Sequence, residues 1–154
     1  MTNFKDLTVY KKAFSMAMEI YHLTKSFPKD ELYSLTNQIR KSSRSVCSNI
    51  AEGYRKRQYP AHFISKISDA DMENSETQVW IDFAFSCNYI DKNIKQGLEN
   101  KTIEIGRLLN HMIENPEKYK KKSNPSTGGK RQLNNVSNLP VRGDSKQKGK
   151  VGNC

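Results

Sequence analysis

Long apolar stretches are absent from this chain of 154 residues, of which 35% are hydrophobic. The longest runs of consecutive apolar residues number three, far short of the roughly 20 that a membrane-spanning helix needs. The first six residues, MTNFKD, are mostly polar and lack the apolar core of a secretory signal peptide. We therefore expect a cytoplasmic protein that does not associate with membranes.

Cysteine is scarce as well. The chain has three cysteines, Cys47, Cys87 and Cys154, and no short spacing joins any two of them. This odd and scattered set supports neither a disulfide framework nor a zinc site. Cys47 and Cys87 have apolar neighbours in the sequence, so we expect both to be buried, unreactive thiols.

The residue patterns of catalytic sites are missing too. The three histidines, His22, His62 and His111, lie far apart in the sequence, so no two of them share one face of a helix. There is no glycine-rich phosphate loop and no Ser/His/Asp arrangement. We therefore predict no catalytic residue, no metal site, no cofactor and no enzymatic activity.

Charge is distributed unevenly along the chain. The whole sequence has 26 Lys and Arg against 16 Asp and Glu, a net charge of +10. Residues 118–154 contain 10 of the basic residues and 1 of the acidic ones, so the net charge of residues 1–117 is only +1. The segment 120–154 has no aromatic residue and no apolar periodicity, so it cannot bury enough surface to offset its chain entropy. We predict a helical domain over residues 1–119 and a disordered basic tail over residues 120–154.

Apolar residues recur at helical spacing through the first 117 residues, and no alternating strand pattern occurs there. Phe27-Pro28 ends the first helix, Asp30 is a candidate N-cap for the second, and Pro60 suits the first position of the third. The predicted helices span residues 7–26, 31–54, 60–88 and 91–115. Four such helices joined by short loops predict an all-α fold, an antiparallel up-down four-helix bundle.

Two of the predicted helices have unusual faces. The second has small side chains that allow another helix to approach closely, and its Gly53 suits a helix C-terminus. These small residues are Ser42, Ser43, Ser45, Ser48 and Ala51. The third helix is apolar on two sides, and its second apolar face consists of Met72, Val79, Trp80 and Phe83. One side is expected to line the core and the other to contact another subunit.

Basic residues concentrate on the second helix. This basic strip consists of Arg40, Lys41, Arg44, Arg55, Lys56 and Arg57. Because arginine can hold phosphate oxygens through paired hydrogen bonds, these six residues are the candidate nucleic-acid contacts. The third helix is acidic at Asp69, Asp71, Glu73, Glu76 and Asp82. The alternative is therefore that the two sets of charges complement each other, within a subunit or between subunits.

Four amide side chains fall on faces that the periodicity turns inward, namely Gln38, Asn49, Asn74 and Gln78. Buried amides need hydrogen-bond partners, and such groups often fix the register or assembly of helices. The alternative is that these residues lie at the rim of the core.

The sequence around the second helix resembles a known family. Residues 27–42 read FPKDELYSLTNQIRKS and residues 45–53 read SVCSNIAEG. This pattern resembles the signature of the four-helix-bundle family that is also called the S23 or 23S rRNA intervening-sequence protein family. The resemblance covers about residues 3–117, and its most specific element is NIAEG at residues 49–53. The chain departs at Ser34, Lys41 and Cys47, where the family commonly has glycine, arginine and proline.

The resemblance implies an up-down four-helix bundle that assembles as a homopentamer, often encoded within rRNA intervening sequences. It also implies a fold shared with accessory proteins of diversity-generating retroelements, which bind nucleic acid and a reverse transcriptase through a basic ring. The segment after about Lys118 lies outside the resemblance.

These observations favour a non-enzymatic, oligomeric bundle that binds RNA or DNA through phosphate contacts from the basic strip, assisted by the tail. One alternative is a protein-interaction scaffold, such as a reverse-transcriptase accessory subunit, whose helix charges serve assembly. An enzyme of unknown type is a third alternative, although no reactive set of residues supports it. The tail itself is either a weak polyanion binder or a solvated extension without a role.

Overall fold

The computed structural model describes residues 3–123, and four α-helices account for most of them. The helices are α1 (Thr8–Thr24), α2 (Leu35–Arg55), α3 (Pro60–Ser86) and α4 (Lys92–Glu114). Three short 3-10 turns, Phe4–Asp6, Lys29–Glu31 and Pro116–Tyr119, flank or join them, and residues 3–123 contain no strand. The predicted all-α four-helix fold is confirmed. Residues 124–154 of the predicted tail lie outside the described part of the chain.

The core lies between the four helices and draws apolar side chains from each. Its large, fully buried members include Met16 and Ile20 of α1, Ile39 and Ile50 of α2, Phe63, Ile67 and Ile81 of α3, and Leu98, Ile105 and Leu109 of α4. α2 packs most extensively on α3, while α1 packs on α2 more than on α4. Burial of these side chains is the main force that holds the helices together.

α2 begins four residues later than the sequence predicts. Asp30 does not cap it, because residues 29–31 form a 3-10 turn and the helix starts at Leu35. The Glu31 carboxylate takes the capping role: one oxygen accepts the Leu35 N–H at 3.0 Å and the other accepts the Tyr89 hydroxyl at 3.0 Å. The Leu35 and Tyr89 hydrogen bonds lower the pKa of Glu31, and the bond to Glu31 raises the pKa of Tyr89 to about 12.

Small and polar groups set the contact between α2, α3 and α4. Gly53 is a buried residue in the last turn of α2, near the C-terminus as predicted, and a Cβ there would lie 2.8 Å from Cδ1 of Ile67. The buried Thr77 hydroxyl donates to the Ser42 hydroxyl at 2.9 Å and so joins α3 to α2. Asn74 is buried, and its Nδ2 donates to the Thr102 carbonyl at 2.8 Å.

The outcome for the four amides is mixed. Asn74 alone among them is buried, whereas Asn49 and Gln78 are half-buried and Gln38 is exposed. Asn49 uses its Nδ2 within its own helix, where it donates to the Ser45 carbonyl at 3.0 Å. The helical period therefore predicted one interior amide correctly, and the alternative of a rim position holds for the others.

Candidate nucleic-acid interface

Three basic side chains cluster around one tyrosine ring where α1 lies beside α2. The centre of the Tyr21 ring lies 4.7 Å from Nζ of Lys25, 5.0 Å from Cζ of Arg40 and 5.7 Å from Cζ of Arg44. Lys41 lines a surface groove together with Arg40 and Arg44. We call Lys25, Arg40, Lys41 and Arg44 the groove cluster. The electron-rich face of the ring attracts the cations and holds them close together.

Arg40 is fixed more firmly than its neighbours. Its Nε donates to the Thr24 hydroxyl at 2.7 Å, and this hydroxyl in turn donates to the Ile20 carbonyl at 2.8 Å. Because Nε and the Tyr21 ring orient the guanidinium, its terminal nitrogens have a defined direction. An arginine held in this way loses less conformational entropy when it binds an anion.

Arg40, Lys41 and Arg44 of the groove cluster line a surface groove of about 600 Å³ on α2. The exposed side chains of Tyr33 and Leu32 lie at one end of it, and Ser45 and Ser48 at the other. Tyr33 is 90% exposed. The buried Thr36 hydroxyl, at the same groove, has no hydrogen-bond partner within the described residues. We call this the basic groove, and its chemistry suits an anion flanked by an aromatic ring.

Among the described residues, no carboxylate forms an ion pair with these cations. Other lysines do form ion pairs, for example Lys12 with Glu104 at 2.8 Å and Lys66 with Glu52 at 2.9 Å. Within residues 3–123, no residue of the groove cluster or of the basic strip has a carboxylate oxygen within 4.0 Å. The acidic residues of α3 therefore do not pair with the basic strip inside one subunit, although pairing between subunits stays open.

The acidic residues of α3 interact only weakly with the basic strip. Burial and the neighbouring Glu76 raise the pKa of Glu73, and attraction to Lys41 offsets part of that rise. Asp69 and Asp82 lie closer to lysines outside the strip, at 3.9 Å from Lys66 and 3.4 Å from Lys95. The charge of Arg40 and Arg44 is left to face solvent.

The basic strip is divided in the structure. Arg44 and Arg55 lie eleven residues apart on one helix, which corresponds to about 16 Å along its axis. Arg55 lines a second groove at the end of α2, of about 520 Å³, together with Lys5 and Lys121. Lys56 is exposed beside it. Phosphates of one nucleic-acid chain could reach both grooves.

Arg57 differs from the other five residues of the strip. It is only 7% exposed, its Cζ lies 4.0 Å from the centre of the Tyr54 ring, and its Nη1 donates to the Tyr54 carbonyl at 2.8 Å. These contacts give Arg57 a structural role at the end of α2 and leave little of it for a phosphate. Arg57 still lines the groove at the end of α2 beside Arg55, so its role as a nucleic-acid contact stays a prediction.

Sequence reasoning missed Lys25, Tyr21 and Tyr33. Lys25 and Tyr21 lie one turn apart near the end of α1, and no acidic residue accompanies them in that turn. That spacing was a usable signal, but only the packing of α1 on α2 shows that both residues face Arg40. Tyr33 lies in the loop before α2, where no periodicity indicates which side it takes.

Two of the three cysteines, Cys47 and Cys87, lie within the described residues and differ in burial. Cys47 is buried, and burial raises the pKa of its thiol to about 11, so it is a poor nucleophile at neutral pH. Cys87, predicted to be buried, is exposed because it lies at the C-cap of α3. Among residues 3–123, no three His, Cys, Asp or Glu side chains are grouped so as to hold a metal ion. The described helices also include none that is long and apolar enough to cross a bilayer.

Comparison with known proteins gives a consistent result. Residues 5–111 match the family model described as the 23S rRNA-intervening sequence protein. The structure is similar to the crystal structure of a protein of unknown function from the S23 ribosomal protein family of Bacteroides thetaiotaomicron, with a TM-score of 0.63 and 29% sequence identity. That match covers 69% of this chain and 95% of the other. No curated protein matches the chain.

Proposed function

Because the chain belongs to the 23S rRNA-intervening sequence protein family, we propose that it is a non-enzymatic protein that binds RNA or DNA through phosphate contacts. The groove cluster supplies the central contacts, and Arg55 and Lys56 extend them along α2. The family name refers to segments within ribosomal RNA genes, which supports a nucleic acid as the ligand without identifying it.

One observation carries this proposal: Lys25, Arg40 and Arg44 surround a single ring, and among residues 3–123 none of the three has a carboxylate oxygen within 4.0 Å. Like charges held this close repel one another, and a bound anion relieves that repulsion. The helices as a whole are nearly neutral, so the concentration of positive charge in this groove is local. Phosphate contacts of this kind carry no base information, so we expect little sequence preference.

The test is a salt titration of binding. Full-length protein is titrated into a fluorescently labelled RNA hairpin at several salt concentrations, and the affinity is read by anisotropy. We expect affinity to fall steeply with salt, because each phosphate contact releases counterions. In the variant Arg40→Gln/Arg44→Gln, the slope of log affinity against log salt should fall by about 2, one for each cation removed.

A matched control removes the same charge elsewhere. Lys92→Gln/Arg107→Gln deletes two exposed cations of α4 that form no ion pair among the described residues. This control should keep the wild-type slope within about 0.5 if the groove cluster makes the contacts. A wild-type slope in the arginine variant, or an equal loss in both variants, would exclude the groove cluster as the binding surface.

The contribution of the tail can be measured separately. A chain that ends at residue 123 keeps all the described helices and removes most of the basic residues of 118–154. If this shortened chain folds but loses all affinity for the hairpin, the tail and not the helical domain holds the nucleic acid. If the shortened chain keeps its affinity with a smaller salt slope, the result supports the proposal that the helical domain makes the central contacts and the tail only assists.

Assembly is the second part of the proposal, and a specific surface supports it. Met72, Val79 and Phe83 lie along one side of α3 and are large, apolar and exposed, with Met72 66% and Phe83 54% accessible. A second copy of the chain would cover this face, since exposed apolar side chains in a helical row mark interfaces. Another partner, such as a reverse transcriptase, is the competing occupant, and a monomeric protein that captures one would favour it.

A further inference from the structure

An apolar groove lies beside the basic groove and shares one wall with it. The apolar groove, of about 400 Å³, lies between the start of α1 and the middle of α2. Arg44 and Ser48 line both grooves. A ligand that occupies both would therefore cross Arg44, with one part in a cationic site and another in an apolar one.

The apolar groove is built largely from aromatic and small side chains. The Tyr10 ring lies between its neighbours, with its centre 5.0 Å from that of Phe4 and 6.2 Å from that of Phe14, and the Tyr10 and Phe14 rings are stacked. Phe14 is 52% exposed, so one face of its ring is open to a ligand. Ala51 on α2 leaves space opposite it. The groove offers a flat aromatic surface and few polar groups.

The order of the side chains limits the class of ligand. Exposed Tyr33 comes first, the guanidinium groups of Arg40 and Arg44 follow, and Phe14 comes last. Aromatic rings that alternate with cations are typical of surfaces for single-stranded nucleic acid, whose unpaired bases stack on the rings while its phosphates meet the cations. A duplex can reach the cations of such a surface but cannot stack on its rings, because the bases of a duplex are already stacked inside the helix.

We propose that the two grooves together form a site for single-stranded nucleic acid, in which an unpaired base stacks on Phe14 and the adjoining phosphate binds Arg44 and Arg40. The site rests on the proposed nucleic-acid function and narrows it to loops, bulges or single strands. Few polar groups line the apolar groove, so the site accepts different bases.

The experiment compares two substitutions at one position. Phe14→Tyr keeps an aromatic face, whereas Phe14→Leu keeps apolar area without one. Full-length wild-type protein and both variants are titrated with a labelled oligouridine 12-mer and with a duplex of equal length. We expect Phe14→Tyr to bind the single strand like wild type. Phe14→Leu should lose about 5- to 150-fold, the range that corresponds to one stacked base.

Duplex affinity should be unchanged in both Phe14 variants, since the duplex reaches only the cations. Ile103→Ala, which truncates an exposed apolar residue of α4 outside both grooves, is the control for general surface effects. Thermal unfolding checks that each variant folds, and we expect only a small change in stability because Phe14 is exposed.

The outcomes separate this proposal from the one it rests on. Suppose that Phe14→Leu binds the single strand as tightly as wild type, while the salt-dependent binding through Arg40 and Arg44 persists. The proposed base stacking on Phe14 is then wrong, whereas the proposed phosphate contacts are retained. If wild-type protein binds neither oligonucleotide, both proposals fail. If an acidic amphipathic peptide binds and the oligouridine does not displace it, the apolar groove is a peptide site and the proposal is overturned.

Discussion

At the scale of single residues, Gly53 determines how closely α2 and α3 approach. A side chain at this position would meet Cδ1 of Ile67 at 2.8 Å and Cβ of Lys66 at 3.2 Å. Ile67 is a fully buried core residue, so it has little freedom to move aside. The absence of a side chain at Gly53 thus permits the most extensive helix contact in the molecule.

We predict opposite effects for the same substitution at two glycines. Gly53→Ala should lower the free energy of unfolding by about 1–3 kcal/mol, because the added methyl group overpacks the contact with Ile67. Gly97→Ala should raise it by about 0.5–1 kcal/mol, since nothing lies within 4 Å of a Cβ there and alanine favours the helix. Urea denaturation of both variants gives the two values. Equal effects would show that helix propensity alone governs both positions.

The residue scale also shows what the sequence could predict about the candidate site. The spacing of Arg40, Lys41 and Arg44 placed them on one turn of α2, and they do line one groove. Lys25 could not be assigned, because its neighbours come from another helix and depend on how α1 packs. Arg57 could not be distinguished from Arg55 by composition, since only its contact with Tyr54 separates them.

At the scale of elements, the helix ends show where local signals are sufficient. Pro60 begins α3 as predicted, and Asp91 caps α4 by accepting the Ile94 N–H at 2.8 Å. The start of α2 was misplaced because its cap, Glu31, is held by Tyr89 from the loop that follows α3. That partner is 58 residues away in sequence, and a local pattern contains no information about it.

α3 ends in a turn that requires a left-handed residue. Asn88 has a φ of 60°, and the N–H groups of Asn88 and Tyr89 donate to the carbonyls of Phe85 and Ala84, each at 2.9 Å. This pair of hydrogen bonds satisfies carbonyls that the helix end would leave without partners. Asparagine tolerates the conformation better than most residues other than glycine.

We predict that the conformation of Asn88 governs its substitutions. Asn88→Val should destabilise the protein by about 1–2 kcal/mol, because a branched side chain disfavours positive φ. Asn88→Gly should be neutral or slightly stabilising, because glycine adopts this conformation without steric cost. The midpoints of thermal unfolding distinguish the two variants. A drop of similar size in both would mean that the asparagine side chain, and not its backbone, stabilises the turn.

At the scale of the whole molecule, the helical period predicted two apolar sides on α3, and the structure confirms that one is buried and one exposed. Phe63, Ile67 and Ala70 line the core, whereas Met72, Val79 and Phe83 face outward. Trp80, which the sequence assigns to the outer face, is half-buried and packs against the core. The sequence could not reveal what covers the outer face, since a single chain contains no information about its neighbour's position.

We predict that the outer face of α3 controls assembly. Full-length protein should form an oligomer by light scattering, and Met72→Ser/Phe83→Ser should reduce its mass toward that of a single chain, since burial of both side chains drives association. Ile103→Ser, another exposed apolar position, is the matched control and should keep the wild-type mass. An unchanged oligomer in the α3 variant would assign assembly to a different surface.

The weaker side of the bundle, where α1 meets α4, links binding to folding. Two exposed ion pairs span it, Lys12 with Glu104 and Lys101 with Glu19, and dissolved salt screens such pairs. α1 carries Phe14 and Tyr21, while Arg40 and Arg44 belong to α2, so a polyanion bound to all four would tether the two helices together. A bound polyanion would then raise the melting temperature of the protein. Dissolved salt would both release the polyanion and weaken the ion pairs that hold α1 on α4.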